Sequence, residues 1–457
     1  MRPRSLYDSG SAPLSREEAQ ALTKRALSFS KADQARVTIN DTAQGNTRFA
    51  VNQVSTSGDA TDTVVTVQSV FGKRAASAST NKLDDASLKQ TVDIAERLAK
   101  LSPENQELMP ELGAQTYLDV DGWTASTANL DPAGRAAAVR KVTGPSQQSS
   151  LVATGFIEAD ADVAAIATSA GLFAYGRLTS SSMTTTVRTA DGTGSGWAGA
   201  SHSDWSKIDA SALGQHAMDK ALRSRDAVAI EPGRYTVVLE PTAVGNLIQL
   251  LGFAMNARNA DEGRSFFTKP GGGNKIGLKV VDERVTLTSD PADPDTKALA
   301  FAPDGLAVKP TTWIRNGVVQ TLAYDRYWAQ KQGKEPTPFI RAVRMSGGTG
   351  GVEDLVASTE RGILVTRLWY IRSVDQRTIL VTGLTRDGTF LIENGKVTKA
   401  VKNFRFNESP IFLLNNLEAM GEPVRVSASE DGGPGIAIVV PPIKAHDFNF
   451  TSLSDAI

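Results

Sequence analysis

The sequence contains no cysteine and only three histidines in its 457 residues. The absence of cysteine excludes disulfides, thiolate zinc sites, cysteine-ligated iron–sulfur clusters and a cysteine nucleophile. The three imidazoles are His202, His216 and His446. A metal site built from this chain would therefore depend mainly on carboxylates, which suit magnesium or calcium better than zinc.

An excess of charge of one sign and a long apolar run are also missing. The 49 lysines and arginines nearly cancel the 50 aspartates and glutamates, which argues against nucleic-acid binding because neutralising phosphates needs a local excess of base. The longest apolar stretch, Leu247–Met255, is far short of the roughly 20 residues that a membrane helix needs. Met1–Glu18 lacks the apolar core of a signal peptide. We expect a cytoplasmic protein that binds neither nucleic acid nor membrane.

In the first half of the chain, short sequence patterns predict four helices. Ser15 and Glu18 form a capping-box pattern, and apolar residues at helical spacing follow it. The same spacing predicts a helix over Asp85–Leu101. Asp131 followed by Pro132 predicts a helix start, with the helix running to about Val142. A further helix is predicted over Asp209–Arg223.

Alternating apolar and polar residues predict several short strands between these helices. Residues 191–203, rich in glycine, serine and alanine, are interpreted as an exposed loop. The predicted strands are Arg36–Thr42, Thr47–Thr56, Thr61–Phe71, Val152–Glu158, Ala161–Ser169, Leu172–Ser180 and Met183–Ala190.

The second half has a different pattern. A strand at Tyr235–Leu239 and a helix near Pro241–Ala257 are followed by short strands, with hairpin turns at Asn316-Gly317 and Asn394-Gly395. This pattern predicts the α+β fold class. We expect an N-terminal domain of mixed helix and sheet, residues 1–225, and a mainly β C-terminal domain, residues 226–457. The C-terminal domain is predicted to hold a central helix and a closed or strongly curved sheet.

Glycine and aspartate clusters are the most visible local motifs. Neither Gly271–Gly273 nor Ser346–Gly351 precedes the Gly-Lys-Ser/Thr of a phosphate-binding loop, so both are interpreted as flexible loops. The second borders a cleft in our interpretation, because mobile loops often do, which makes Gly347 and Gly348 candidate cleft residues. Asp290–Asp295 is interpreted as a surface loop. Asp59 and Asp62 are expected to be solvated.

Eight sequence phrases occur in a characteristic order along the chain. They are Thr47–Gln53, Gly263–Phe267, Val285–Pro291, Phe301–Gly305, Ile314–Val319, Tyr324–Gly333, Phe390–Val397 and Pro441–Phe448. Together they resemble the TldD/PmbA family, the modulators of DNA gyrase and peptide-maturation metallopeptidases, and the resemblance spans most of the chain.

The resemblance implies where a metal site would lie. Metallopeptidase members of the family carry His-Glu-x-x-x-His on the central helix, with two histidines as zinc ligands and the glutamate as base. Pro241, Thr242 and Asn246 stand at the three corresponding positions here. The counterpart of the family's third ligand, a cysteine, falls near Ser427–Ser429. The resemblance therefore implies the PmbA (TldE-like) branch, with no catalytic residues and no metal in this chain.

In that branch the metal-free subunit pairs with a zinc-bearing TldD-like subunit, and the complex cleaves unfolded or extended peptides. The implied function here is a non-catalytic subunit that completes the chamber and grips peptide. A stand-alone homodimer that binds peptides is the first alternative. The second is an enzyme with non-metal chemistry in the same cleft, for which charged side chains are available. These are Arg344, Arg372, Asp375, Arg386 and Asp387.

Overall fold

The computed structural model describes residue 6 and residues 12–338, 342–427 and 437–454. Within these ranges the α+β class is confirmed, with helices packed on one N-terminal sheet and a mainly β C-terminal half. The first sheet uses strands that end by His202, and the other two use strands that begin at Gly233. The predicted division at residues 225 and 226 stays a prediction.

The N-terminal sheet is antiparallel throughout, in the order β3-β2-β1-β4-β5-β6. Its strands are β1 (Gln34–Ala50), β2 (Gln53–Phe71), β3 (Arg74–Thr80), β4 (Leu151–Thr168), β5 (Phe173–Thr189) and β6 (Ser195–His202).

Helices cover one face of this sheet and bury its alternate apolar residues. The capping box of Ser15 and Glu18 is confirmed, as are the bounds of the second helix. The helices are α1 (Arg16–Ser28), α2 (Asp85–Leu101), α3 (Ala125–Ala128), α4 (Pro132–Gln148) and α5 (Ala210–Arg223), with a 3-10 turn at Trp205–Lys207.

The predicted division of the N-terminal strands is wrong. Three strands were predicted up to Phe71, but the structure has two long strands there, β1 and β2. They are joined at Val51 and Asn52, which both have positive φ. The four predicted strands after residue 150 are likewise two, β4 and β5. Mid-strand polar residues such as Gln44, Asn46 and Asp160, which lie on the face opposite the helices, misled the sequence interpretation.

Two other N-terminal predictions are wrong. Residues 191–203 contain the strand β6, which pairs with β5. Its small residues suit close packing, since a Cβ on Gly196 would lie 2.2 Å from the Ala217 carbonyl oxygen of α5. Helix α4 continues past Val142 to Gln148 and includes Pro145.

The C-terminal half contains two open sheets, where one closed or strongly curved sheet was expected. Both Asn-Gly hairpins are confirmed. The smaller sheet comprises β8 (Leu287–Ser289), β9 (Thr311–Arg315), β10 (Val318–Val319), β11 (Val343–Met345), β19 (Val424–Ser427) and β20 (Ala437–Val440). The larger comprises β7 (Gly233–Leu239), β12 (Arg361–Val365), β13 (Leu368–Asp375), β14 (Leu380–Thr385), β15 (Thr389–Glu393), β16 (Lys396–Ala400), β17 (Phe404–Glu408), β18 (Leu417–Met420) and β21 (Ile443–Leu453).

The central helix and its neighbours form one large apolar core with both C-terminal sheets. The central helix ends at Ala254, and a separate short helix follows it. The helices of this half are α6 (Pro241–Ala254), α7 (Ala257–Asp261), α8 (Arg326–Gln332), α9 (Val352–Ala357) and α10 (Pro410–Asn415).

A buried arginine joins α4 to the first hairpin. The Arg135 side chain is fully buried, and its Nη2 lies 2.6 Å from Asp59 Oδ1. Its Nε donates to Thr47 Oγ1 at 3.1 Å, and its Nη1 donates to the Leu130 carbonyl at 3.0 Å. A Cβ on Gly45 would lie 2.2 Å from Nη1, so a larger residue there would displace the guanidinium. Asp59 and Asp62 are exposed, as expected, and Asp59 is also an ion-pair partner.

We expect Arg135→Ala to destabilise the N-terminal unit by about 2–4 kcal/mol, because it removes a buried cation with three hydrogen-bond partners and leaves a cavity. Urea unfolding followed by circular dichroism measures the change. Arg140→Ala, at an exposed position of the same helix, is the matched control and should shift stability by less than about 0.5 kcal/mol. Equal unfolding midpoints for the two variants would contradict this account.

Candidate functional site

The central helix α6 begins directly after β7 and places three predicted site residues in its first two turns. Pro241 is its first residue, where the fixed φ of proline suits a helix start. Pro241 and Thr242 are half-buried, and Asn246 is 4% exposed. The N-cap residue Glu240 forms an ion pair with Lys220 of α5 at 2.7 Å. This pair ties the start of α6 to the N-terminal unit.

Strand β19 connects this helix to the N-terminal sheet, because it contacts both α6 and β6. Arg425 of β19 donates to the Ser201 carbonyl at 2.5 Å and to the Asp295 carbonyl. Burial lowers the pKa of Arg425 to about 10, so the side chain stays charged at neutral pH. Ser427, which ends β19, is buried. The other two residues of the predicted ligand counterpart, 428 and 429, lie outside the described residues.

Arg344 of β11 is held by two carboxylates. Its Nε and Nη2 lie 2.6 and 2.9 Å from the two oxygens of Asp293, and Nη2 lies 2.6 Å from Asp295 Oδ2. The hydrogen bonds to Asp293 raise the pKa of Arg344 still further. Residues 290–295 therefore form an anchored loop, which also supplies the carbonyl that Arg425 binds.

The glycine-rich loop at residues 346–351 packs against the segment that leads into β19. The Gly348 amide donates to the Gly421 carbonyl at 2.8 Å, and the Glu422 amide donates to the Gly350 carbonyl at 2.8 Å. A Cβ on Gly347 would lie 2.6 Å from the Gly421 carbonyl oxygen. These glycines allow two backbones to approach closely. The elements that carry the six predicted residues are α6, which contacts β19, β11, which reaches β19 through β20, and the glycine-rich loop.

The side chains at the start of α6 do not fit a zinc ion. Proline supplies no ligand atom, and the hydroxyl of Thr242 and the neutral amide of Asn246 are poor zinc ligands. Across the described part of the chain, no group of three or more histidine, cysteine, aspartate or glutamate side chains is placed to hold a metal.

Each histidine has a separate position. His202 Nδ1 accepts the Asp204 amide at 2.9 Å, and burial, reinforced by the charge of Arg425, lowers the pKa of this imidazole. His216 is exposed on α5. His446 Nδ1 lies 2.9 Å from Asp447 Oδ2.

An acid strip on β4 was missed by the sequence interpretation. Glu158, Asp160 and Asp162 alternate along the strand, so they share the face opposite the helices, while Ala159 and Ala161 point into the core. The alternation Glu-x-Asp-x-Asp is the signal that could have found it. Splitting the segment into two strands placed Asp160 in a turn.

The acid strip is half-buried, and this changes its acidity. Burial, followed by the charge of Asp160, raises the pKa of Glu158. Burial also raises the pKa of Asp160, although Gln44 and Ser180 hydrogen-bond to its carboxylate and oppose the shift. Burial raises the pKa of Asp162 to about 6. The strip is therefore a poorly solvated row of negative charge.

A cavity of about 410 Å³ lies where the N- and C-terminal units meet, beside Asp387. Asp387 Oδ1 accepts the Ser195 hydroxyl at 2.6 Å, and its Oδ2 lies 3.1 Å from Arg367 Nη1. The Arg386 guanidinium lies 4.1 Å from the centroid of the Trp369 ring. The hydrogen bond from Ser195 thus joins the two units, while the ion pair and the stacking lie within the C-terminal unit.

The remaining charged candidates have local contacts. Asp375 Oδ2 accepts the Thr378 hydroxyl at 2.8 Å, and its Oδ1 accepts the Arg377 amide at 3.0 Å. The Arg372 guanidinium lies 4.1 Å from the centroid of the Tyr370 ring. Arg344, in contrast, lies on β11 in the other C-terminal sheet.

Three models of one peptidase family match the chain in order. The PmbA/TldA metallopeptidase domain 1 matches residues 35–99, the central domain matches 81–225, and the C-terminal domain matches 232–452. The protein is thus a metallopeptidase homologue by sequence and fold. The chain belongs to the PmbA/TldD metallopeptidase family.

Individual relatives are distant. A metalloprotease of Methanothermobacter thermautotrophicus is 25% identical over 250 residues, which cover 51% of this chain and 52% of the relative. A metalloprotease of Methanocaldococcus jannaschii is 26% identical over 245 residues, which cover 50% of this chain and 52% of the relative. The match to this chain thus spans about half the length of these curated relatives.

Solved structures share the fold over nearly the whole chain. TldE from Thermococcus kodakarensis superimposes with a TM-score of 0.83 at 18% identity, covering 94% of this chain and 99% of that one. A putative modulator of DNA gyrase from Thermotoga maritima superimposes with a TM-score of 0.82 at 16% identity, covering 94% of this chain and 100% of that one. Among the described residues, no helix has the length and apolarity required to cross a membrane.

We expect Asp162→Asn to stabilise the protein by about 1–2 kcal/mol near pH 7.5. The pKa of this carboxyl is higher in the folded than in the unfolded chain. Its ionisation therefore costs stability as the pH rises from about 4 to about 6, and the full cost remains above that window. The variant's advantage should vanish near pH 4, where both states of the wild type bind the proton.

Urea unfolding at the two pH values measures this effect. Asp119→Asn, at an exposed position, is the control and should show no such difference between the two pH values. An Asp162→Asn variant that is less stable than the wild type at the higher pH would contradict the proposed burial cost.

Proposed function

We propose that this chain is a metal-free subunit, similar to TldE and PmbA, of a TldD/TldE-type metallopeptidase. The single observation that carries the proposal is the start of α6. Pro241, Thr242 and Asn246 occupy the positions where the family's metallopeptidases have two histidines and a glutamate. The similarity to the solved TldE structure supports the assignment at the level of fold.

In this proposal the catalytic zinc and its base belong to a TldD-like partner, and this chain contributes binding surface. The proposed peptide cleft has the start of α6, β19 and the glycine-rich loop at 346–351 on one side and the polar face of the N-terminal sheet on the other. An extended peptide held there is kept unfolded and positioned for the partner's metal. Main-chain recognition of this kind needs little sequence preference.

A self-dimer is the second candidate, and the edge of β2 favours it. Residues 53–62 are exposed, and within the described residues they pair on one side only, with β1. A long free edge without lysine or proline is a template for another strand. Two antiparallel copies centred between Ser57 and Gly58 would place Asp59 opposite Thr56, so that no carboxylates face each other.

Peptidase activity on casein tests the subunit assignment. We expect the purified chain to be inactive alone, and the TldD-like paralogue of its host to gain at least about tenfold in activity when this chain is added. A chelator should abolish the activity of the mixture, since the metal supplies the nucleophile. Chelator-sensitive cleavage by this chain alone would contradict the proposal. A homodimer in light scattering that does not bind the paralogue would favour the second candidate.

Metal content provides a separate check. Elemental analysis should find about one zinc per heterodimer, held by the partner, and substoichiometric metal in this chain purified alone. The combined variant Pro241→Ala, Thr242→Ala and Asn246→Ala is the matched control, and it should leave the zinc content of the complex unchanged. One tightly bound transition metal per isolated chain, lost in this variant, would instead identify a metal site at the start of α6.

A further inference from the structure

The acid strip, Glu158, Asp160 and Asp162, has hydrogen-bond donors around it but no described cation. Gln44 Nε2 donates to Glu158 at 2.8 Å and to Asp160 at 3.0 Å. The Ser180 hydroxyl donates to Asp160 at 3.1 Å. Within the described residues, no lysine, arginine or histidine forms an ion pair with any of the three carboxylates. Half-buried carboxylates without a counter-ion are costly, and a ligand that supplies positive charge lowers that cost.

A second observation at the strip also indicates a ligand. Ser182 of β5 lies directly opposite Glu158 in the strand register, so the two side chains share a face. Its side chain is 0% exposed, and its Oγ has no hydrogen-bond partner among the described residues. A buried hydroxyl of this kind usually has a water or ligand partner.

The C-terminal half flanks the strip on two sides. On one side, Leu299 and Phe301 lie against Gly176 of β5. Gly176 pairs with Ala164, which follows Asp162 on the same face of β4. On the other side, Arg425 binds the carbonyl of Ser201, the residue that pairs with Ser182. The strip therefore borders the proposed peptide cleft.

Arg48, a cation on the same face, is already in contact with a ring. Arg48 pairs with Phe156 in the β1–β4 register, one step beyond Glu158 on this face. Its guanidinium lies 5.9 Å from the centroid of the Phe156 ring. Arg48 therefore marks one end of the negative surface.

We propose that the acid strip binds the basic side chains of an extended peptide with lysine or arginine at alternate positions. The three carboxylates recur at every second residue of a strand, roughly 6.5 Å apart. Side chains on one face of an extended peptide have the same repeat, so three alternate basic residues match three carboxylates. The inference rests on the proposed peptide-binding function and adds a substrate class to it.

Fluorescence anisotropy with labelled heptapeptides tests this on the purified chain alone. The probes are Ala-Lys-Ala-Lys-Ala-Lys-Ala, the same peptide with glutamine for lysine, and an isomer with three adjacent lysines. We expect the alternating lysine peptide to bind at least about tenfold more tightly than the glutamine peptide and more tightly than its isomer. Its affinity should fall as salt is raised.

The combined variant Glu158→Gln, Asp160→Asn and Asp162→Asn should lose at least about tenfold in affinity for the alternating lysine peptide and keep its affinity for the glutamine peptide. The variant is expected to fold, because it removes charges whose burial is unfavourable, and thermal unfolding checks this. The matched control is Glu335→Gln, Asp119→Asn and Asp219→Asn, three exposed carboxylates, which should bind like the wild type.

Equal binding of the lysine and glutamine peptides, or unchanged binding by the strip variant, would overturn the inference while leaving the subunit function intact. Binding of spermine or calcium at the strip with no binding of the basic peptide would also overturn it, since the ligand would then be a small cation. Failure of the casein assay together with tight, strip-dependent peptide binding would instead reject the subunit function and keep the strip as a peptide site.

Discussion

The strand register of the long antiparallel ladder β1–β4–β5 is the constraint on which the rest of the structure depends. Because side chains alternate, one register sends Ala159 and Ala161 under the helices and Glu158, Asp160 and Asp162 to the opposite face. A slip of one residue would exchange these sets and bury three carboxylates in an apolar core. The same register that forms the core therefore forms the acid strip.

Polar contacts join the two halves of the chain at specific residues, with the Ser201 contact made to its backbone carbonyl. Arg425 reaches Ser201, Lys220 reaches Glu240, and the Ser195 hydroxyl reaches Asp387. These contacts lie around the start of α6 and β19, so they set the position of the central helix relative to the N-terminal sheet. This placement determines which surfaces of α6, β19 and β6 face one another.

Much of the fold could be predicted from local sequence. Helix starts at Ser15, Asp131 and Asp209 were recognisable because a cap and its helix lie within a few residues of each other. The Asn-Gly hairpins were recognisable for the same reason. Strand lengths were not, because a polar residue on the open face of a sheet has the same local pattern as a residue in a turn.

Some features of the candidate site could likewise be predicted from the sequence, and others could not. The sequence alone determined that no thiolate ligand exists, and that Pro241, Thr242 and Asn246 offer no strong zinc ligand, since both depend only on residue identity. It could not show that Arg344 is bound by Asp293 and Asp295, or that Arg135 pairs with Asp59. Only the tertiary structure decided these contacts and the burial of the acid strip, because they join residues distant in sequence and depend on what covers each side chain.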